Sequence, residues 1–155
     1  MIPEPARLET ERIAEQLRRS YEGPAWCGSS LKELLDDVTP ELAARKPSNG
    51  GHSIWEIVRH ASFWADICAR TLEGQPYPPR LTPPADWPDT KGTWPDALIE
   101  LEREQRRVLD ALKTFRDERL TEKVTPPKGY NYYVVLHGLI QHNLYHAGQI
   151  AILKR

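Results

Sequence analysis

The sequence predicts an all-α protein, a four-helix bundle with one long proline-rich crossover between its second and third long helices. Three observations carry this. Proline is excluded from helix interiors, and the 14 prolines leave proline-free stretches at 6–23, 25–39, 48–75, 96–125 and 128–155, each long enough for a helix. Within those stretches apolar residues recur at three- and four-residue spacing, the signature of one buried helix face. No stretch shows convincing strand alternation, and there is no internal repeat.

The first helix is expected from about Pro5 to Tyr21, with Ile13, Ala14, Leu17 and Tyr21 at helical spacing, until Gly23-Pro24 breaks it. A shorter helix follows, opened by a capping box of Ser30 and Glu33, with Leu31, Leu34, Leu35 and Val38 as its apolar set. Thr39-Pro40-Glu41 reads as a further helical turn with proline at its first position, before a loop at 47–51. The second long helix begins at another capping box, Ser53 with Glu56, and runs to about Leu72 on the stripe Ile54, Ile57, Val58, Ala61, Ala65, Cys68 and Leu72.

Seven of the 14 prolines then fall within 76–95, a segment without periodicity. Structureless loops of this length are uncommon in compact domains and tend to be functional, so this segment is either a stiff wall over one end of the bundle or a plain crossover. Thr93, Pro95 and Asp96 open the third long helix, whose stripe is Leu98, Leu101, Val108, Leu112 and Phe115, with Gln105 where an apolar residue is expected. A polar segment leads to the last helix, from Asn131 nearly to Arg155, apolar almost all round and free of Asp and Glu.

Composition bounds the rest. A length of 155 residues fits a single domain spanning 1–155. Lys and Arg number 21 against 22 Asp and Glu, for a net charge of -1, so the basic footprint of a nucleic-acid or anionic-membrane partner is absent. No apolar run approaches a membrane span, and the polar start is unlike a signal peptide; a cytoplasmic protein is expected. Cys27 and Cys68 form no CxxC pair and are expected as small buried residues.

The chemistry points to histidine. His142 and His146 are four apart on the last helix, one turn above each other on one face, the spacing that lets two imidazoles converge on one metal at ~2.0–2.1 Å. His60, on the second long helix beside Glu56, Ile57 and Trp64, is the candidate third ligand. The competing reading is a pair of hydrogen-bonded core histidines, against which stands the several-kcal/mol cost of burying two imidazoles without partners. Gln149, one turn beyond His146, can orient the site. His137 lies ~140° round the helix from His142 and cannot join it; His52, ahead of the second long helix, is expected to be exposed. The remaining face of the last helix, Val134, His137, Gln141, Tyr145 and Ile152, is less polar than a solvated face, and a homodimer contact is expected there.

The run HGLIQHNLYHAGQIAILKR, with the isolated histidine of SIWEIVRHASFW and the upstream YEGPAW, resembles the DinB-like superfamily of small helical bundles, also called YfiT-like metal enzymes. That resemblance implies a four-helix bundle, often dimeric, with three histidines holding a divalent metal, usually nickel or zinc. Carried over by position, the ligands are His60, His142 and His146. The family includes transferases and isomerases that work with low-molecular-weight thiols.

A three-histidine set leaves an open position on the metal, as in catalytic sites. Hydrolysis calls for a neighbouring base, yet HExxH is absent, the last helix has no carboxylate, and Glu56 is committed to its capping box; no general base is evident. The expected function is therefore a metal-dependent transferase joining a low-molecular-weight thiol to a small electrophilic substrate. Gln149, Glu56 and Gln105 are the candidate supporting residues, and a hydrolase or a non-catalytic metal-binding stress protein are the alternatives.

Overall fold

The computed structural model describes residues 8–48, 50–77, 85–124 and 129–155. Among them lie six α-helices: α1 (Glu9–Tyr21), α2 (Leu31–Leu35), α3 (Pro40–Ala44), α4 (Ile54–Leu72), α5 (Trp94–Leu112) and α6 (Tyr132–Leu153), with a 3₁₀ helix at Asp117–Thr121. No strand forms among the described residues, only isolated bridges joining Ala25 to Gly28 and Lys123 to Asn131. None of their helices is long and apolar enough to cross a membrane.

Local chemistry sets the helix starts. Ser30, Thr39, Ser53, Thr93 and Asn131 each cap a helix, their side-chain oxygens accepting a backbone N–H of the first turn, which satisfies donors the helix itself cannot. α1 lacks a cap of its own and borrows one. Asp117 of the 3₁₀ helix accepts from Glu9 N at 2.7 Å and from Thr10 N at 3.0 Å, and these bonds hold its carboxyl below the usual carboxylate range. At its other end α1 stops at Gly23, whose φ of +95° suits glycine; a Cβ there would sit 2.8 Å from the Glu33 carboxylate.

α4 packs on α5 and α6, and α1 packs on the same two helices, while α2 lies against α6 and α1, and α3 against α4. The buried apolar residues form two clusters, one around Ile13, Leu17, Val108, Leu112 and Leu136, the other around Leu31, Ile54, Val58, Leu101 and Ile150. A buried polar layer separates them. Gln105 and Asn143 exchange amide hydrogen bonds of 3.0 and 3.1 Å, and Asn143 Nδ2 donates to Ser20 Oγ at 3.2 Å.

Several expectations are corrected. Leu8 precedes α1 rather than continuing it, and the expected stretch at 5–7 lies outside the described residues. α2 ends at Leu35, yet Val38 is still buried because the following turn folds it into the core. Phe115 is buried beyond the end of α5. Gln105, a candidate supporting residue, is instead buried at 3% exposure, its amide satisfied by Asn143 across the core. Cys27 is exposed, being carried on the tight Ala25–Gly28 turn, whereas Cys68 is buried.

Candidate metal centre

α6 buries Leu136, Leu139, Ile140, Asn143, Ala147 and Ile150 along one stripe. His146 belongs to that stripe and His142 to its edge, one turn earlier. α4 packs alongside, and its second turn carries buried His60 toward them. The Nε2 of His142 lies 3.1 Å from Nε2 of His60 and 3.0 Å from Nε2 of His146, and one ring nitrogen from each of the three residues falls within 4.8 Å of the others. Tetrahedral ligands at the usual zinc–nitrogen length would be about 3.3 Å apart, so a single divalent ion fits among these nitrogens.

The far side of two of the rings shows which way their lone pairs point. His60 Nδ1 is 2.6 Å from the Asp86 carbonyl and His146 Nδ1 is 2.7 Å from Gln149 Oε1. Both oxygens only accept, so each Nδ1 carries the proton and each neutral ring turns an Nε2 lone pair toward His142. His142 Nε2 can donate to one of them at most, which leaves one lone pair unmatched and its own buried Nδ1 without a hydrogen-bond partner. A cation at the centre satisfies all three lone pairs at once. Partners of this kind on the outer nitrogen are what orient metal-bound histidines.

Burial keeps the rings neutral. It pushes His142 down to about 3, helped by neighbouring His146 and His60. His146 is held at about 4, again chiefly by burial, with the Gln149 bond opposing. His60 is lowered by burial too, against the pull of the Asp86 carbonyl.

The middle of the proline-rich segment completes the site. Trp87 stacks on His60 with ring centroids 4.0 Å apart at 12°, and His52 stacks on Trp87 at 3.5 Å and 6°. Residues 78–84 of that segment lie outside the described residues. A cavity of about 540 Å³ opens beside the cluster, lined by the three histidines with Asp86, Trp87 and Gln149, a size suited to a small molecule.

The other candidates fall elsewhere. Glu56 accepts from Ser53 N at 2.8 Å and from Lys46 Nζ at 2.6 Å; burial pushes its pKa up, but the Lys46 ammonium and the Ser53 N–H outweigh it and hold the carboxyl low. Gln105 sits in the polar layer. His137 is half-buried against Tyr133. Asp86, which the sequence reading did not single out, is among the residues lining the cavity, and its Oδ1 is buried without a hydrogen-bond partner. Nothing in the sequence around Asp86 marks it, since it stands in an aperiodic segment 26 residues from the histidine it contacts.

A family model described as the DinB superfamily matches residues 25–150, a span that includes all three histidines. No curated protein and no solved structure matches the chain.

Proposed function

The chain belongs to the DinB superfamily, and we propose that it is a cytoplasmic metal-dependent enzyme, its four long helices forming a four-helix bundle in which His60, His142 and His146 hold nickel or zinc. The observation that carries this reading is the convergence of three neutral imidazoles whose lone pairs have no other common partner. Bound there, a divalent metal supplies Lewis acidity at an open position, which favours a thiolate over a thiol near neutral pH.

The reaction is transfer of a low-molecular-weight thiol to a small electrophile. The cavity beside the histidines holds the reactants, and the Trp87 ring shields the His60 face from water. The Asp86 carboxylate receives the thiol proton. The sulfur then bonds to the electrophilic carbon, the bond from that carbon to its leaving group breaks, and the departing group takes the proton from Asp86. Hydrolysis is the second reading, favoured by the same carboxylate, which can deprotonate water in place of the thiol.

Two copies of the chain would pair through the outer face of α6, where Val134, Tyr145 and Ile152 are 44%, 66% and 69% exposed. A monomer in light scattering at micromolar concentration contradicts that pairing. A panel of bacillithiol, mycothiol and glutathione with a reactive acceptor tests the transferase reading on metal-loaded protein. Turnover with one thiol supports it; ester or amide cleavage without thiol replaces it with hydrolysis. Metal binding without either activity leaves a non-catalytic metal-binding protein.

A further inference from the structure

His52 immediately precedes Ser53, the cap of α4, and the capping box fixes where the chain enters that helix: Ser53 N donates to Glu56 Oε2 at 2.8 Å and Glu56 N donates to Ser53 Oγ at 3.3 Å. A histidine at this edge of the fold is free to turn into water, and 48% of its side chain is exposed. The ring nevertheless lies flat on Trp87, and Trp87 lies flat on His60. These are the only two parallel stacks among the described residues; every other ring pair is tilted or edge-on, at 40° or more. With centroids 3.5 and 4.0 Å from the indole, the two imidazoles must lie on its opposite faces, since side by side on one face they would overlap.

The three rings form a column from solvent to core, with His52 exposed, Trp87 half-buried and His60 buried. Among the described residues no hydrogen bond fixes the Trp87 indole. It is held by the rings on its two faces, by the edge of His146 with centroids 6.3 Å apart, and by packing against the second apolar cluster. Beyond apolar burial, one aromatic pair shifts an equilibrium by on the order of 2- to 10-fold. Removing the His52 ring gives the outer indole face to water and weakens the hold on Trp87 by that factor. Glu56 secures the His52 ring in turn: its carboxylate, tied by Lys46 Nζ and Ser53 N, stands 3.7 Å from His52 Nδ1.

We propose that His52 is a positioning residue for the metal centre: it clamps the Trp87 indole against His60, and so holds closed the wall that Trp87 contributes to the cavity beside the three histidines. It acts on His60 through Trp87, which lies between them. The effect on a metal rests on the reading of His60, His142 and His146 as ligands. The clamp itself does not, and it is measured in the metal-free chain.

The test labels the full-length chain with 5-fluorotryptophan and follows the Trp87 fluorine resonance, identified by its loss in Trp87→Phe. In chelated His52→Ala the shift of that resonance between ordinary and heavy water should rise toward the value of fully exposed Trp26. His52→Phe, which restores an aromatic face, should keep the wild-type value. Zinc-loaded protein is then mixed with excess chelator. Release should be on the order of 2- to 10-fold faster in His52→Ala than in the wild type, and within about twofold of the wild type in His52→Phe. An unchanged Trp87 resonance in His52→Ala overturns the clamp, as does a His52→Phe variant that behaves like His52→Ala. A resonance that responds while zinc release does not overturns the role at the metal centre. Failure of the metal reading itself shows differently: the wild type takes up no zinc, the positioning role falls with it, and the resonance of the chelated chain still decides the clamp.

Discussion

The imidazole of His60 donates from Nδ1 to the backbone carbonyl of Asp86 at 2.6 Å. This bond joins the second turn of α4 to the middle of the proline-rich segment, and it fixes the tautomer that turns the His60 Nε2 lone pair toward His142. The segment is thus part of the site's construction, at least through Asp86 and Trp87.

Because the bond uses the backbone of Asp86, its side chain can be changed without loosening His60. Asp86→Asn is expected to keep the metal and lower turnover by ~10²-fold or more, the usual worth of a proton-transfer group. Elemental analysis beside steady-state kinetics checks both halves; unchanged turnover removes the carboxylate from the mechanism.

Gln149 does for His146 what the Asp86 carbonyl does for His60, through an acceptor 2.7 Å from Nδ1. Gln149→Ala is expected to weaken metal affinity by ~10–100-fold. Gln149→Glu, which restores an acceptor, should recover most of it in a competitive chelator titration.

Chelated protein should lose stability on the acid side. His142 and His146 are held at about 3 and about 4, below the ordinary 6.5, so the unfolded chain binds more protons than the folded one as pH falls. Their contribution is complete above pH 6.5 and is lost as pH drops toward 4 and below. Urea midpoints measured from pH 7 to 4 should fall more steeply for the wild type than for the double variant His142→Ala/His146→Ala.

Asn143 is fully buried and its amide serves both Gln105 and Ser20. Asn143→Leu leaves the Gln105 amide without its partner, at a cost of ~1–3 kcal/mol. Chemical denaturation should show that loss while metal stoichiometry holds, since none of the three ligands bonds to Asn143.

What could be read in the sequence was what depends on near neighbours. The caps at Ser30, Ser53 and Thr93 satisfy donors three residues on, and the His142–His146 spacing follows from helix geometry alone, so both were visible without a fold. His60 was reachable because it stands on a periodic helix, one turn from Glu56, Ile57 and Trp64. Asp86 and Trp87 were not, because an aperiodic segment carries no register to say where its side chains land. The Gln105–Asn143–Ser20 layer stayed hidden for a related reason: a polar residue on an apolar stripe signals only an exception, and its partner lies 38 residues away on another helix. Asp117 capping α1 from a distance of 108 residues is a further case.

The central claim is that three histidines hold one divalent metal, and elemental analysis of tag-free protein tests it most directly. About one nickel or zinc ion per chain is expected in the wild type, with loss of the metal in each of His60→Ala, His142→Ala and His146→Ala while helicity is retained. Substoichiometric metal in the wild type, or full metal content in His142→Ala, would contradict it.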